Sequence, residues 1–190
     1  MNRFIKLEKM CHHFHLSLQS GCTQTLARMN RRYTAEQFEE VTKLLRNAYE
    51  DVILTTDIIV GFPGETDEEF EETYKFLDKI KFFKMHIFKY SPRAGTKAAA
   101  MKGQIQGDIK EARSKKLIEL SDKNEKEYCN TYIGKTVSDL FEEKYGEYYK
   151  GHTANYIMVK TKSNEDISGK IVNIKVTNVD NLELVGEVIN

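Results

Sequence analysis

Asp57 is the residue whose chemistry most needs explaining. It sits inside Val52-Ile-Leu-Thr-Thr-Asp-Ile-Ile-Val60, an apolar and β-branched run. Such a run reads as a parallel strand buried on both faces, where a carboxylate must be hydrogen-bonded or meet a ligand. Gly61, Pro63 and Gly64 then force a turn and leave backbone bare for close approach. Two further polar groups occupy equivalent places. Gln19 and Ser20 end the alternating run His13–Leu18, and Arg93 follows the short run Lys84–Tyr90. Each lies past the carboxyl end of an expected strand, the edge at which α/β folds bind ligands. A carboxylate, an amide and a guanidinium on one rim would hold a small polar molecule. The competing reading is structural, with Asp57 bonded only to a neighbouring loop.

Other candidate chemistry is thinner. Cys11, Cys22 and Cys129 are three in number and cannot all pair, and their spacings match no zinc or iron–sulfur template. His12, His13 and His15 have no carboxylate or thiol at a suitable offset, and only His13 and His15 share a strand face. No metal site is expected. Asp57 and Glu65 would be the acid and base of an unrelated metabolic enzyme, but nothing in the sequence sets their separation. Arg31 and Arg32, before Tyr33, suit a phosphate or simply solvate a helix junction. Lys115 and Lys116 lie in a stretch from Lys81 to Cys129 with twelve Lys/Arg against six Asp/Glu. That helix face is solvated or faces RNA.

The elements that position these groups follow from periodicity. A strand from His13 to Gly21 leads into a helical turn or two over Thr23–Asn30. Thr34…Gln37 and Thr66…Glu69 are capping boxes. Helices follow them, with Phe38, Val41, Leu44, Leu45 and Ala48 on one buried face and Phe70, Thr73, Tyr74, Leu77 and Ile80 on the other. The order β-α-β-α-β demands parallel strands. A long helix from Asp108 to about Tyr132 is expected to bury Ile109, Ala112, Leu117, Leu120 and Tyr128. Beyond Gly134 five short β runs, separated by turn residues, predict a small antiparallel barrel of OB-like size. Tyr148, Tyr149 and Tyr156 are its candidate base-stacking residues, although its seven Lys/Arg against nine Asp/Glu give RNA no electrostatic help. The expected domains are 1–131 and 132–190. The 40% hydrophobic and 31% charged content is that of a soluble globular protein, and zero formal net charge argues against a generally polycationic nucleic-acid binder, leaving room for a local basic patch. No apolar run approaches the ~20 residues of a membrane helix, so a cytoplasmic protein is expected.

Four stretches together resemble the radical SAM tRNA methylthiotransferase family: His15–Gly21, Met29–Thr34, Thr56–Thr66 and Tyr90–Thr96. The residues from about Tyr132 resemble that family's TRAM barrel. The implied fold is part of a parallel (β/α) radical SAM barrel followed by the small β-barrel. Gln19–Cys22, Lys84–His86 and Arg113–Leu117 look closer to the branch acting on N6-threonylcarbamoyladenosine than to the isopentenyladenosine branch. The resemblance implies methylthiolation at C2 of the adenosine at position 37, driven by S-adenosylmethionine and two 4Fe–4S clusters. Gln19, Ser20, Asp57, Gly61, Pro63, Gly64 and Arg93 would line the S-adenosylmethionine pocket. Arg31, Arg32, Lys115, Lys116, Tyr148, Tyr149 and Tyr156 would meet tRNA. The family's CxxxCxxC triad and the cysteines of its second cluster lie upstream of the matched stretches. The chain thus resembles the C-terminal part of such an enzyme, expected to bind no cluster and to be inactive alone. A non-catalytic RNA-binding module is the alternative. The Phe14–Leu18 strand is expected to expose an edge that promotes self-association unless Met1–Cys11 covers it.

Overall fold

A computed structural model describes residues 10–189, so the expected helix tail at Met1–Cys11 lies almost wholly outside the described residues. The chain divides into two compact units. One comprises Phe14–Glu50 and Leu54–Asn124, and the other takes in the chain up to His13, residues 51–53 and the chain from Glu125 onward.

The first unit is built on three strands, β1 (His13–His15), β2 (Ile53–Val60) and β3 (Lys84–Lys89), in the order β1-β2-β3. β2 and β3 run parallel with Asp57 opposite His86. Helices α1 (Thr23–Arg28), α2 (Ala35–Ala48) and α3 (Asp67–Ile80) connect them, and α4 (Gly107–Asn130) follows. Both capping boxes form, each cap side chain and its third-residue partner exchanging bonds with backbone N–H groups. The core is Leu18, Leu26, Ile58, Leu77, Phe82 and Leu117, all fully buried.

The first strand departs from expectation. Regular pairing stops at His15, though the chain keeps running beside β2. Leu16 N–H donates to Thr55 O at 2.8 Å, Gln19 N–H to Asp57 O at 2.8 Å, and Ile59 N–H to Gln19 O at 2.9 Å. Between these points the Thr56 hydroxyl stands in for the ladder. It donates to Leu16 O at 2.5 Å and accepts from Leu18 N–H at 3.1 Å. The detour ends with Gln19 in the left-handed region at φ 74°.

Two helix faces also rotate relative to expectation. On α2 the buried residues are Ala35, Glu39, Thr42 and Leu45, whereas Leu44 is 53% exposed. On α4, Ile109 and Ala112 are exposed while Arg113, Ser114, Leu117, Leu120 and Ser121 are buried. Polar partners explain the inversion: Arg113 bonds Glu65, and the Ser121 hydroxyl accepts the Met85 N–H at 2.9 Å. A polar side chain with a buried partner outcompetes an apolar one at the same face, and hydrophobic periodicity cannot register it.

The second unit is a closed five-stranded barrel of β4 (Thr136–Tyr145), β5 (Tyr148–Thr153), β6 (Met158–Lys162), β7 (Ile171–Asp180) and β8 (Glu183–Val188), in the order β4-β5-β6-β8-β7. All five predicted strands exist. The barrel is mixed rather than antiparallel throughout, because β6 and β8 pair in parallel. β7 reaches back to β4, so β8 must enter between β7 and β6 to close the ring. Phe141, Val159, Ile174, Val176 and Leu184 fill the interior. At Gly151 and Gly186 a Cβ would collide with backbone of the neighbouring strand, which is how so small a ring closes.

Candidate functional site

Gln19, Asp57 and Arg93 do share one place. They line an open cleft of about 390 Å³ with Ile59, Phe88 and Tyr90 in its walls. The parallel register brings them together: Gln19 bridges to Ile58, next to Asp57, and β3 runs beside β2 until its exit loop carries Arg93 to the same edge.

Asp57 is not buried on both faces. Its side chain is 28% exposed, because the sheet face it occupies is open. Its Oδ2 accepts from the Ser17 hydroxyl at 3.2 Å and faces His15 Nε2 at 3.1 Å. The other nitrogen of His15 lies 3.1 Å from the Thr55 hydroxyl. Thr55 is buried, so a rigid strand residue orients the imidazole and the imidazole orients the carboxylate. The sequence reads His15 as a surface or pocket-lining histidine and Ser17 only as a strand residue. Their role needed Asp57 to fall on their side of the sheet.

Ser20 and the glycine turn lie elsewhere. The Ser20 hydroxyl is buried, 3.1 Å from the Thr73 hydroxyl, and accepts the Cys22 N–H. Gly61 and Pro63 are buried, and Gly64 N–H donates to Gly103 O at 2.8 Å. A Cβ on Gly61, already at φ 71°, would strike the Lys110 side chain. None of these four lines the cleft. The bare backbone of the turn packs against its own chain. Glu65 anchors it: Oε1 accepts from Gly61 N–H at 3.0 Å and from Arg113 at 2.5 Å. Arg113 also donates to Asp67 at 2.7 Å. Burial pushes the Glu65 carboxyl up, against the pull of the Gly61 N–H and of Arg113. Tied down and 5% exposed, Glu65 is no acid–base partner for Asp57.

The cleft has walls the sequence did not single out. Phe88 is 53% exposed and Tyr90 follows it on the same side, with Phe62 edge-on at 5.2 Å from the Tyr90 ring. Lys110 donates to Tyr90 O at 2.9 Å. The Tyr90 hydroxyl is buried without a partner among the described residues. Alternation along Lys84–Tyr90 was the available signal: His86, Phe88 and Tyr90 face one way.

The basic residues divide. Arg31, Arg32 and Lys115 are exposed. Lys116 lies 4.3 Å from the Tyr74 ring centroid and pairs with Glu71 at 3.0 Å. On the barrel, Tyr148 sits beneath Lys160 and Lys162, whose ammonium groups are 5.7 and 5.1 Å from its centroid. Both lysines are already paired, Lys160 with Asp180 and Glu183, Lys162 with Glu147. Tyr156 is 63% exposed with the His152 ring nearly parallel at 4.6 Å. Tyr149 is different. It points into the barrel on the inward face of β5, 4% exposed, and a buried ring cannot stack on a base.

The model of the radical SAM superfamily matches residues 1–77. The chain is 42% identical over 174 residues, 89% of its length, to the threonylcarbamoyladenosine tRNA methylthiotransferase MtaB of Bacillus subtilis, covering 39% of that protein. It is 37% identical over 185 residues to the tRNA-2-methylthio-N(6)-dimethylallyladenosine synthase of Acetivibrio thermocellus, covering 96% of this chain and 38% of that one. The Aquifex aeolicus protein of the same name is 40% identical, with 96% and 42% covered. The chain thus spans about two fifths of the length of these curated relatives. Coproporphyrinogen III oxidase (HemN) of Escherichia coli, a radical SAM enzyme, shares the fold at a TM-score of 0.52 and 13% identity over 75% of this chain and 41% of that one. Residues 1–77 thus match the radical SAM superfamily model, and over most of its length the chain is similar to proteins named as tRNA methylthiotransferases and tRNA-2-methylthio-N(6)-dimethylallyladenosine synthases.

Proposed function

We propose that the chain is part of a tRNA-modifying enzyme that methylthiolates C2 of N6-threonylcarbamoyladenosine at position 37. The observation that supports this best is the convergence of Gln19, Asp57 and Arg93 on one cleft. The first relative above carries the substrate in its name. An isopentenyladenosine-type substrate is the second reading, favoured by the relatives named for the dimethylallyl nucleoside.

The donor set of the cleft fits S-adenosylmethionine. Arg93 would meet its carboxylate, Asp57 and Gln19 its polar hydrogens, and Phe88 and Tyr90 its adenine. When bound, the cofactor supplies radical and methyl chemistry. A 4Fe–4S cluster needs three converging thiolates, and Cys11, Cys22 and Cys129, far apart in the sequence, are proposed not to supply them. Cys11 is exposed while Cys22 and Cys129 are buried. The chain by itself is proposed to be inactive. Arg31, Arg32, Lys115, Tyr148 and Tyr156 would meet the tRNA, a partner of the cytoplasm. No described helix is long and apolar enough to cross a membrane.

Calorimetric titration of the chain with S-adenosylmethionine tests the cleft. Asp57→Asn and Arg93→Ala should each weaken binding about tenfold, the scale of a charge-assisted hydrogen bond. A wild-type chain that does not bind, or variants that bind equally, would sink the assignment. Iron counting after anaerobic reconstitution tests the second claim, which about four irons per chain would overturn. Mass spectrometry of tRNA nucleosides from cells supplied with the full protein separates the two substrate readings.

A further inference from the structure

We propose that the barrel contains a proton-linked switch: Asp139 is held as a neutral carboxylic acid inside the closed ring, and its ionisation loosens β4 from its neighbours. Asp139 lies mid-strand in β4, its Cα opposite Thr153 on β5 and Val172 on β7. It is 0% exposed, and both carboxyl oxygens are buried without a hydrogen-bond partner among the described residues. Alternation explains why. Asp139 shares the inward face of β4 with Phe141, so the pleat that buries the ring buries the carboxyl too.

Among the described residues nothing bonds or pairs with this carboxyl. The buried residues of the other strands are Tyr149, Gly151 and Thr153 on β5, Val159 and Thr161 on β6, Ile174 and Val176 on β7, and Leu184 and Gly186 on β8. None carries a formal charge, and the Tyr149 phenol is the one titratable group among them. The two hydroxyls are committed elsewhere. Thr153 donates to Asn155 at 2.6 Å and accepts from Ile157 N–H at 2.8 Å, while Thr161 donates to Gly186 O at 2.8 Å. An isolated carboxylate in such a place is strongly disfavoured, so the group keeps its proton instead. Burial alone pushes its pKa up to about 7.

The sign follows from linkage. The folded value lies above the unfolded one, about 3.9, so the unfolded chain releases this proton first and stability falls as pH rises between about 4 and 7. Across that window the unfolding constant gains up to about tenfold per pH unit from this group. Above it the carboxylate is charged in both states and the barrel carries the full cost. A switch of this kind would couple whatever the barrel holds to the pH of its surroundings.

Urea unfolding of the whole chain, followed at assigned barrel amides from pH 4.5 to 8.5, tests the proposal. Wild type should lose stability as pH rises, and Asp139→Asn should flatten the profile and exceed wild type at pH 8. Superimposable profiles would overturn it. Should the variant not fold, the carboxyl carbon of Asp139 in the wild-type chain, titrated by NMR, decides: a midpoint above 6 supports the switch and one near 4 overturns it.

Discussion

Glu65 and Asp57 show how two carboxylates in one motif separate by environment. Both stand out in the sequence, and Asp57 in a β-branched run invites the deeper burial. The folded chain reverses that order, with Glu65 5% exposed and Asp57 28% exposed. The difference is a partner 48 residues downstream: Arg113 reaches Glu65 from α4, and no local spacing announces it. Removing one member of a buried pair leaves the other uncompensated, typically worth 3–5 kcal/mol. Arg113→Ala should therefore destabilise the chain by about that much. Arg113→Lys should recover only part, since a single ammonium cannot serve Glu65 and Asp67 with the same fork. Equilibrium unfolding of the three proteins checks the ranking. A loss below about 1 kcal/mol for the alanine variant would mean the pair is not the anchor of the Gly61–Gly64 turn. The same logic explains why Ser20, Gly61, Pro63 and Gly64 could not be placed from sequence. A bare turn looks alike whether it waits for a ligand or, as here, for the side chain of Lys110.

At the scale of elements, most of the fold was legible because most elements are set locally. Capping boxes mark the starts of α2 and α3, and the alternating runs mark all five barrel strands. What could not be read is where elements replace their own hydrogen bonds. The stretch Leu16–Gln19 has the alternation of a strand, but in its middle Leu16 O and Leu18 N–H bond to the Thr56 hydroxyl instead of to backbone. The parallel pairing of β6 with β8 has no local signature either. It follows from ring closure. The Thr56 detour carries a consequence for the cleft, because it fixes the backbone that delivers Gln19. Thr56→Val keeps the shape and the β preference while removing the hydroxyl. The buried Leu18 N–H then loses its acceptor, at a cost of about 1–3 kcal/mol. S-adenosylmethionine affinity should fall alongside stability, whereas Asp57→Asn should lower affinity with stability little changed. Thermal unfolding and calorimetry on the same two variants separate a residue that builds the site from one that faces the ligand.

For the whole molecule, the three-stranded sheet raises a question of its own. Among the described residues β1 and β3 are its outer strands, and β3 presents Phe88 half exposed beside the cleft. Unpaired N–H and C=O groups along an outer strand recruit other strands unless charge, irregularity or cover blunts them. β1 is blunted in part: its regular ladder is three residues long, and the detour beyond it turns bonding groups back into the chain. β3 is longer, six residues, with Lys84 and Lys89 at its ends and Lys89 paired to Glu111. The Met85 N–H is already taken by the Ser121 hydroxyl of α4, and the end charges oppose stacking of like strands without covering the rest of the edge. The expected behaviour is therefore weak, concentration-dependent self-association through β3, strengthened when salt screens the terminal lysines. Light scattering across protein concentration, at low and high salt, measures it. Replacing Phe88 by Lys should suppress the association while leaving the barrel unit unchanged, because the added charge falls mid-edge rather than at its ends. A wild-type chain that stays monodisperse and monomeric at high concentration and high salt would show that β3 is protected.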